Sequence, residues 1–316
     1  MSTCAKVSRD LEEPLAGTAA TARTWLLIEQ PGPWGADALT SSHLDPVLGR
    51  ALEKAAEGTG VRIALIRRPG RHADCRTISE RRVYAAHTAP GNTWLHQAVT
   101  SDPRRLLDLD FAGLGAGLPG TFDSALDGRP HTGEPLALVC TNGKRDRCCA
   151  LLGRPLAAEL AASGVEGVWE VTHLGGHRFS PTVLVLPSGY AYGRAEAHAV
   201  KEVLQGVREG RVVTEGCRGS SAWERPGQAA ELAVRTAAHE YAAGVLAVVG
   251  TAGAAPRWEV TVAHTDGRRW LVTVARGASL PPRPESCGSA LGSPARMDVM
   301  AVRELTGAVP EPADAG

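Results

Sequence analysis

The sequence has no surplus charge of either sign: across its 316 residues, 34 Lys and Arg balance 34 Asp and Glu. That balance removes the global electrostatic footprint of a general nucleic-acid binder and leaves only local patches. Aromatic residues are scarce, at 4 %, and no window approaches the roughly eighteen apolar residues of a membrane span. The opening MSTCAKVSRDLEEPLAG carries Lys6, Arg9, Asp10, Glu12 and Glu13 and no apolar stretch of signal-peptide length. A cytoplasmic protein without membrane contact is therefore expected. The C-x-x-C, P-loop, H-E-x-x-H and G-x-S-x-G motifs are all missing, so the common redox-thiol, nucleotide and hydrolase signatures do not apply.

What is present is a folded-protein composition, 43 % hydrophobic and 22 % charged, with seven cysteines. In the cytosol an odd set of cysteines points to metal or redox chemistry before structural disulfides. The length leaves room for two or three modules.

Apolar runs and turn signals give the same order of elements twice. TWLLIE at 24–29 stops at Pro31-Gly32-Pro33, and a helix over 44–57 starts behind Asp45-Pro46. Strands at 61–66, 83–88 and 93–99 and a short helix after Asp102-Pro103 follow. The order recurs as PLALVCT, a helix over 149–162, GVWEVTH, TVLVLPS, YAYGRA and a helix over 196–208. This is an α/β (α+β) class, thioredoxin-like sandwich, in two tandem modules: 1–112 without a ligand set and 135–210 with one, joined by a Gly- and Pro-rich linker over 113–134. In that linker GAGLPG satisfies G-x-G-x-x-G, but no helix is expected behind it to hold a pyrophosphate. The remainder, 211–316, reads as an appendage: a helix ending at Gly244, a hairpin around Asp266-Gly267, and a Pro-rich tail after Leu280 acting as a lid or left mobile.

Chemistry concentrates in CTNGKRDRCC. Cys140 ends a strand and Cys149 begins a helix, where the partial positive charge of the N-terminus favours thiolate. At the end of the next strand stand His173 and His177, separated by a pair of glycines that let the backbone turn. In parallel sheets these strand ends share an edge, so two thiolates face two imidazoles. The set suits zinc as Cys2His2 or a [2Fe-2S] cluster. Eight intervening residues are too many for a zinc knuckle, while a two-iron cluster tolerates wider loops. Cys148 and Cys149 also read as two small buried side chains, and Cys4, Cys75, Cys217 and Cys287 as ordinary thiols. The first module offers His43, Cys75 and His87 without a matching pair.

At these residues the sequence resembles the sucrase/ferredoxin-like family. Cys140, Arg145, Asp146 and Cys149 match its C-x8-C loop, and His173, Gly175, Gly176, His177, Arg178 and Phe179 its second loop. The opening CAKVSRDLEEPLAGTA and the segment RGSSAWERPGQAAEL resemble it more loosely. The resemblance implies a thioredoxin-like ferredoxin domain with a [2Fe-2S] cluster on Cys140, Cys149, His173 and His177. The expected function is electron transfer between a reductase donor and a terminal acceptor, with no substrate chemistry of its own. A thioredoxin-like thiol-disulfide protein and a zinc-stabilised interaction module are the alternatives. Lys144, Arg145, Arg147 and Arg178 against Asp146 give the rim a positive charge that fits a partner with an acidic docking surface.

Overall fold

The computed structural model describes residues 3–70 and 78–305. Every strand expected in the two modules forms, because each is a short, mostly apolar run closed off by turn-forming residues. The first half holds β1 (Thr24–Glu29), β2 (Val61–Arg67), β3 (Arg81–His87), β4 (Trp94–Thr100) and β5 (Arg129–Pro130). The second holds β6 (Leu136–Cys140), β7 (Val168–Val171), β8 (Val183–Leu186), β9 (Tyr190–Tyr192) and β10 (Cys217–Ser220). In each half the first two strands are parallel, connected through the helix Pro46–Ala56 or Arg154–Ala162, and the others add antiparallel. The fold is thus mixed α/β, with one strand order written twice.

The halves share a single sheet. β2 and β7 pair antiparallel through Ile66 with Val171 and Arg67 with Glu170, giving ten strands in the order β10-β9-β8-β6-β7-β2-β1-β3-β4-β5. At this seam Arg67 donates Nε and Nη2 to Glu170 Oε2 at 2.9 and 2.8 Å, both side chains being buried. Its guanidinium also lies 4.0 Å from the Trp34 ring centre. Strand alternation gives two apolar faces. Trp25 and Leu27 join a core with Trp169 and Val171 of the second half, whereas Leu26 and Ile28 pack with Leu48, Leu52 and Phe122.

Residues 113–134 are structured. They carry part of the helix Phe111–Gly115, the helix Gly120–Leu126, and β5. The second helix corrects the expectation of none behind GAGLPG: Phe122 and Leu126 lie four apart, so one helical face buries both in the first-half core. In the C-terminal region the helix Arg225–Ala238 stops at His239, where φ is +50°, before the Gly244 expected to end it. Arg235 supplies the reason. It is fully buried, ion-paired with Glu231, and donates Nη1 to Glu240 O at 3.1 Å and Ala242 O at 2.9 Å, turning the chain off the helix axis.

Beyond that helix, β11 (Leu246–Ala254), β12 (Arg257–His264) and β13 (Arg269–Ala278) run antiparallel. The short pair β14 (Arg283–Pro284) and β15 (Leu291–Gly292) comes next, and β16 (Ala295–Glu304) completes a four-stranded sheet on β13. The expected hairpin is the centre of that sheet, and the tail after Leu280 is a strap with its own ladder. Among the described residues, no helix is long and apolar enough to cross a membrane.

Candidate metal centre

Cys140 closes β6 in register with Val171 of β7, so the loops after these parallel strands leave the sheet side by side. Cys149 opens a π-helical turn, Cys149–Gly153, that leads into the helix Arg154–Ala162. Gly153 permits this approach: a Cβ there would stand 2.1 Å from Cys140 O. In the histidine loop Gly176 has φ +70°, and a Cβ would meet Arg218 Nη2 at 2.1 Å. Glycine alone satisfies both demands.

The four side chains expected from the sequence meet in a ring of contacts. Cys149 Sγ lies 3.3 Å from His177 Nδ1, and the His173 and His177 rings stack with centres 4.7 Å apart. Hydrogen bonds from the Cys149 and His173 side chains and the Leu174 N–H hold the Cys140 thiol well below its ordinary pKa, against the opposing effect of burial. Cys149 is pushed up, by its bond to Cys140 and then by burial. Burial, followed by the neighbouring His173, pulls His177 down. Both cysteines are buried and both histidines half-buried, so the imidazoles form the outer edge. His173 Nδ1 is buried without a hydrogen-bond partner, an orphan of the kind that a bound metal would satisfy. Asp146, Cys149 and His177 place donor atoms within 4.8 Å of one another.

Residues not singled out from the sequence hold these loops. Arg62 of β2 donates to His173 O at 3.0 Å while lying over Trp25. Arg218 donates to Gly175 O at 3.1 Å and to Thr18, and burial lowers its pKa to about 9. Asn142 donates to Gly35 O of the first half at 3.0 Å, and Thr141 to Glu170 Oε2 at 2.8 Å. The available signal was an arginine inside an apolar strand, as in VRIALI.

Cys148 faces away from this ring. Its Sγ lies 3.4 Å from Cys4 Sγ and 3.1 Å from Cys287 Sγ, and those two are 3.5 Å apart. Cys4 and Cys287 are therefore not isolated thiols, as their sequence positions suggest. Hydrogen bonding, led by the Cys4 thiol, lowers Cys148 to about 6. Asp146 accepts the Cys148 N–H at Oδ1 and the Cys287 N–H at Oδ2, both at 2.8 Å. This buried role takes Asp146 off the expected rim, and Arg145 lies 3.8 Å from Asp37. Arg178 leaves the expected rim too: it is buried on Glu13 at 2.7 Å. Cys217 is a buried thiol raised to about 12 by burial. His87 is buried and bonds Thr24 Oγ1, while Cys75 lies outside the described residues.

Taken together, the strand-end loops and their soft donors define a candidate metal-binding protein on a duplicated mixed sheet. The chain belongs to the sucrase/ferredoxin-like family, which matches residues 15–219. That span takes in both halves of the ten-stranded sheet and leaves Cys4, Cys287 and the C-terminal sheet outside. No curated protein and no solved structure matches the chain.

Proposed function

We propose that the protein is an electron carrier whose Cys140, Cys149, His173 and His177 hold a [2Fe-2S] cluster. The observation that carries this reading is the ring itself. Cys149 meets His177, the two histidine rings stack, and Cys140 interacts with Cys149 and His173, yet among the described residues no group of three or more donors within 4.8 Å of one another includes Cys140 or His173. Four donors on one zinc ion would all converge that closely. A cluster with two irons divides them into pairs, and the orphaned His173 Nδ1 gains a partner. Such a cluster would take up and return one electron at a time.

The residues then have separate tasks. Cys140 and Cys149 supply thiolates from the buried side, and the half-buried histidines form the edge nearest a partner. Arg62 and Arg218 fix the histidine loop through its carbonyls. Lys144, Arg145 and Arg147 are exposed beside the site and fit a reductase or acceptor with an acidic docking surface, with no role for nucleic acid or membrane. A thiol-disulfide role fits less well, because Cys148 and Cys149, its two candidate nucleophiles, are both buried away from a partner disulfide, although hydrogen bonding lowers the Cys148 thiol. Free cysteines throughout the described residues agree with a cytoplasmic location.

Freshly purified protein handled without oxygen tests the reading. The expected result is a visible absorption spectrum with two irons and two sulfides per chain. A colourless chain with one zinc on these residues overturns it. Because each imidazole N–H is less acidic when the cluster is reduced, oxidation favours proton loss, and the potential should fall as pH rises through that titration. A pH-independent potential near that of all-cysteine ferredoxins would remove the histidines from the ligand set.

A further inference from the structure

Of the cysteines that the electron-transfer reading does not use, three lie together, and they come from three distant parts of the chain. Cys4 opens the N-terminal helix Cys4–Asp10, Cys148 lies in the ligand loop, and Cys287 lies on the strap between β14 and β15. Their sulfurs form a triangle with edges of 3.1, 3.4 and 3.5 Å. Cys4 and Cys148 are buried and Cys287 is half-buried. Asp146 adds a carboxylate 3.9–4.0 Å from Cys4 Sγ, and the four donor sets lie within 4.8 Å of one another.

We propose that Cys4, Cys148 and Cys287, with the Asp146 carboxylate, form a second metal site that binds one zinc ion. Soft thiolates and one carboxylate are zinc donors, and a zinc–sulfur bond of about 2.3 Å gives a tetrahedral edge of about 3.8 Å. The triangle reaches that size if each sulfur shifts by a few tenths of an ångström. A disulfide accounts for the arrangement less well, since it joins two sulfurs and leaves the third without purpose. Asp146 is suited to organise the site, because it already fixes the backbone N–H groups of two of the three cysteines.

An independent ionic contact ties the N-terminal segment and the strap to the neighbouring histidine loop. Arg178, beside His177, is ion-paired with Glu13 at 2.7 Å, and Arg283 of the strap lies 3.8 Å from the same carboxylate. The zinc would therefore pin the N-terminal helix and the C-terminal strap onto the loop that presents Cys149. The site stands whether or not the first centre holds a [2Fe-2S] cluster, and its zinc readout is separate from the iron content and visible spectrum.

The test is metal analysis of the full chain from zinc-supplemented cells, with Cys287→Ala and Cys4→Ser beside it. Expected in a chain that carries the cluster are one zinc per chain, at least a tenfold loss of it in each variant, and iron content and spectrum unchanged; in a colourless chain with zinc on the first centre, two zincs per chain fall to one in each variant. Zinc content unchanged in the variants, or iron in place of zinc, overturns the proposal. A second measurement uses the unaltered chain, so it does not depend on the variants folding. Alkylation of Cys4, Cys148 and Cys287 should be blocked until a chelator removes the zinc, releasing one equivalent to a zinc-sensitive dye. Free alkylation without zinc release, or a disulfide between any two of them, also overturns it.

Discussion

The two halves of the ten-stranded sheet have one strand order and, among the described residues, different contents at their strand ends. The second half ends β6 and β7 in cysteine and histidine loops. The first ends β1 in Pro31-Gly32-Pro33 and β2 in Arg67, which is stacked on Trp34 and paired with Glu170. Where the second half presents soft donors, the described strand ends of the first present a cation and stiff turns, and contacts from the first half reach the second: Arg62 to His173 O, Arg67 to Glu170, Gly35 O to Asn142. The duplicated scaffold therefore carries the candidate site on one half and braces its loops from the other.

The largest effect should come from abolishing the contrast. Cys149→Ser should eliminate the visible spectrum and most of the iron, whereas Cys148→Ser, one residue away, should leave the spectrum nearly intact. The reverse result would move the ligand spacing to seven intervening residues. Next is the seam. Arg67→Met leaves Glu170 buried beside a methionine and should cost about 3–5 kcal/mol in denaturant unfolding. The double replacement, with Glu170→Met, should recover most of that loss. A single-variant cost below about 1 kcal/mol would show that the halves are joined by other contacts.

A smaller effect is expected where the first half reaches the site directly. Arg62→Met should weaken iron retention against a chelator about tenfold, as loss of an outer-shell support does, and Arg62→Lys should restore part of it. Unchanged retention would leave the first half as a buttress of the sheet alone. The mildest change is at the rim. Charge reversal at Lys144 and Arg147 should slow electron transfer a few-fold and flatten its decline with salt, while spectrum and potential stay unchanged. Rates indifferent to both would move docking to the first half or the C-terminal sheet.

The duplication was readable from the sequence because each strand is a local apolar run, and the four ring residues because they sit in two short loops. The seam was not. Only two residue pairs are in strand register across it, and Arg67 looks like any strand-terminal charge until Glu170 is placed against it. β16 escaped because Asp298 and Arg303 interrupt its apolar alternation. The end of the helix Arg225–Ala238 is set by Arg235, acting through carbonyls that lie beyond the helix. The cysteine triangle left no trace in local spacing, since its members are separated by 139 to 283 positions.

That separation carries a consequence in time. A ribosome adding about 5–20 residues per second releases Cys4 tens of seconds before it reaches Cys287. Cys148 follows about midway through that interval, and from then until Cys287 emerges only two of the three sulfurs are present. Chains that stop between Cys148 and the strap thus share one chemical mark, two thiols beside Asp146 without the third. Closure of the triangle distinguishes a finished molecule from an unfinished one.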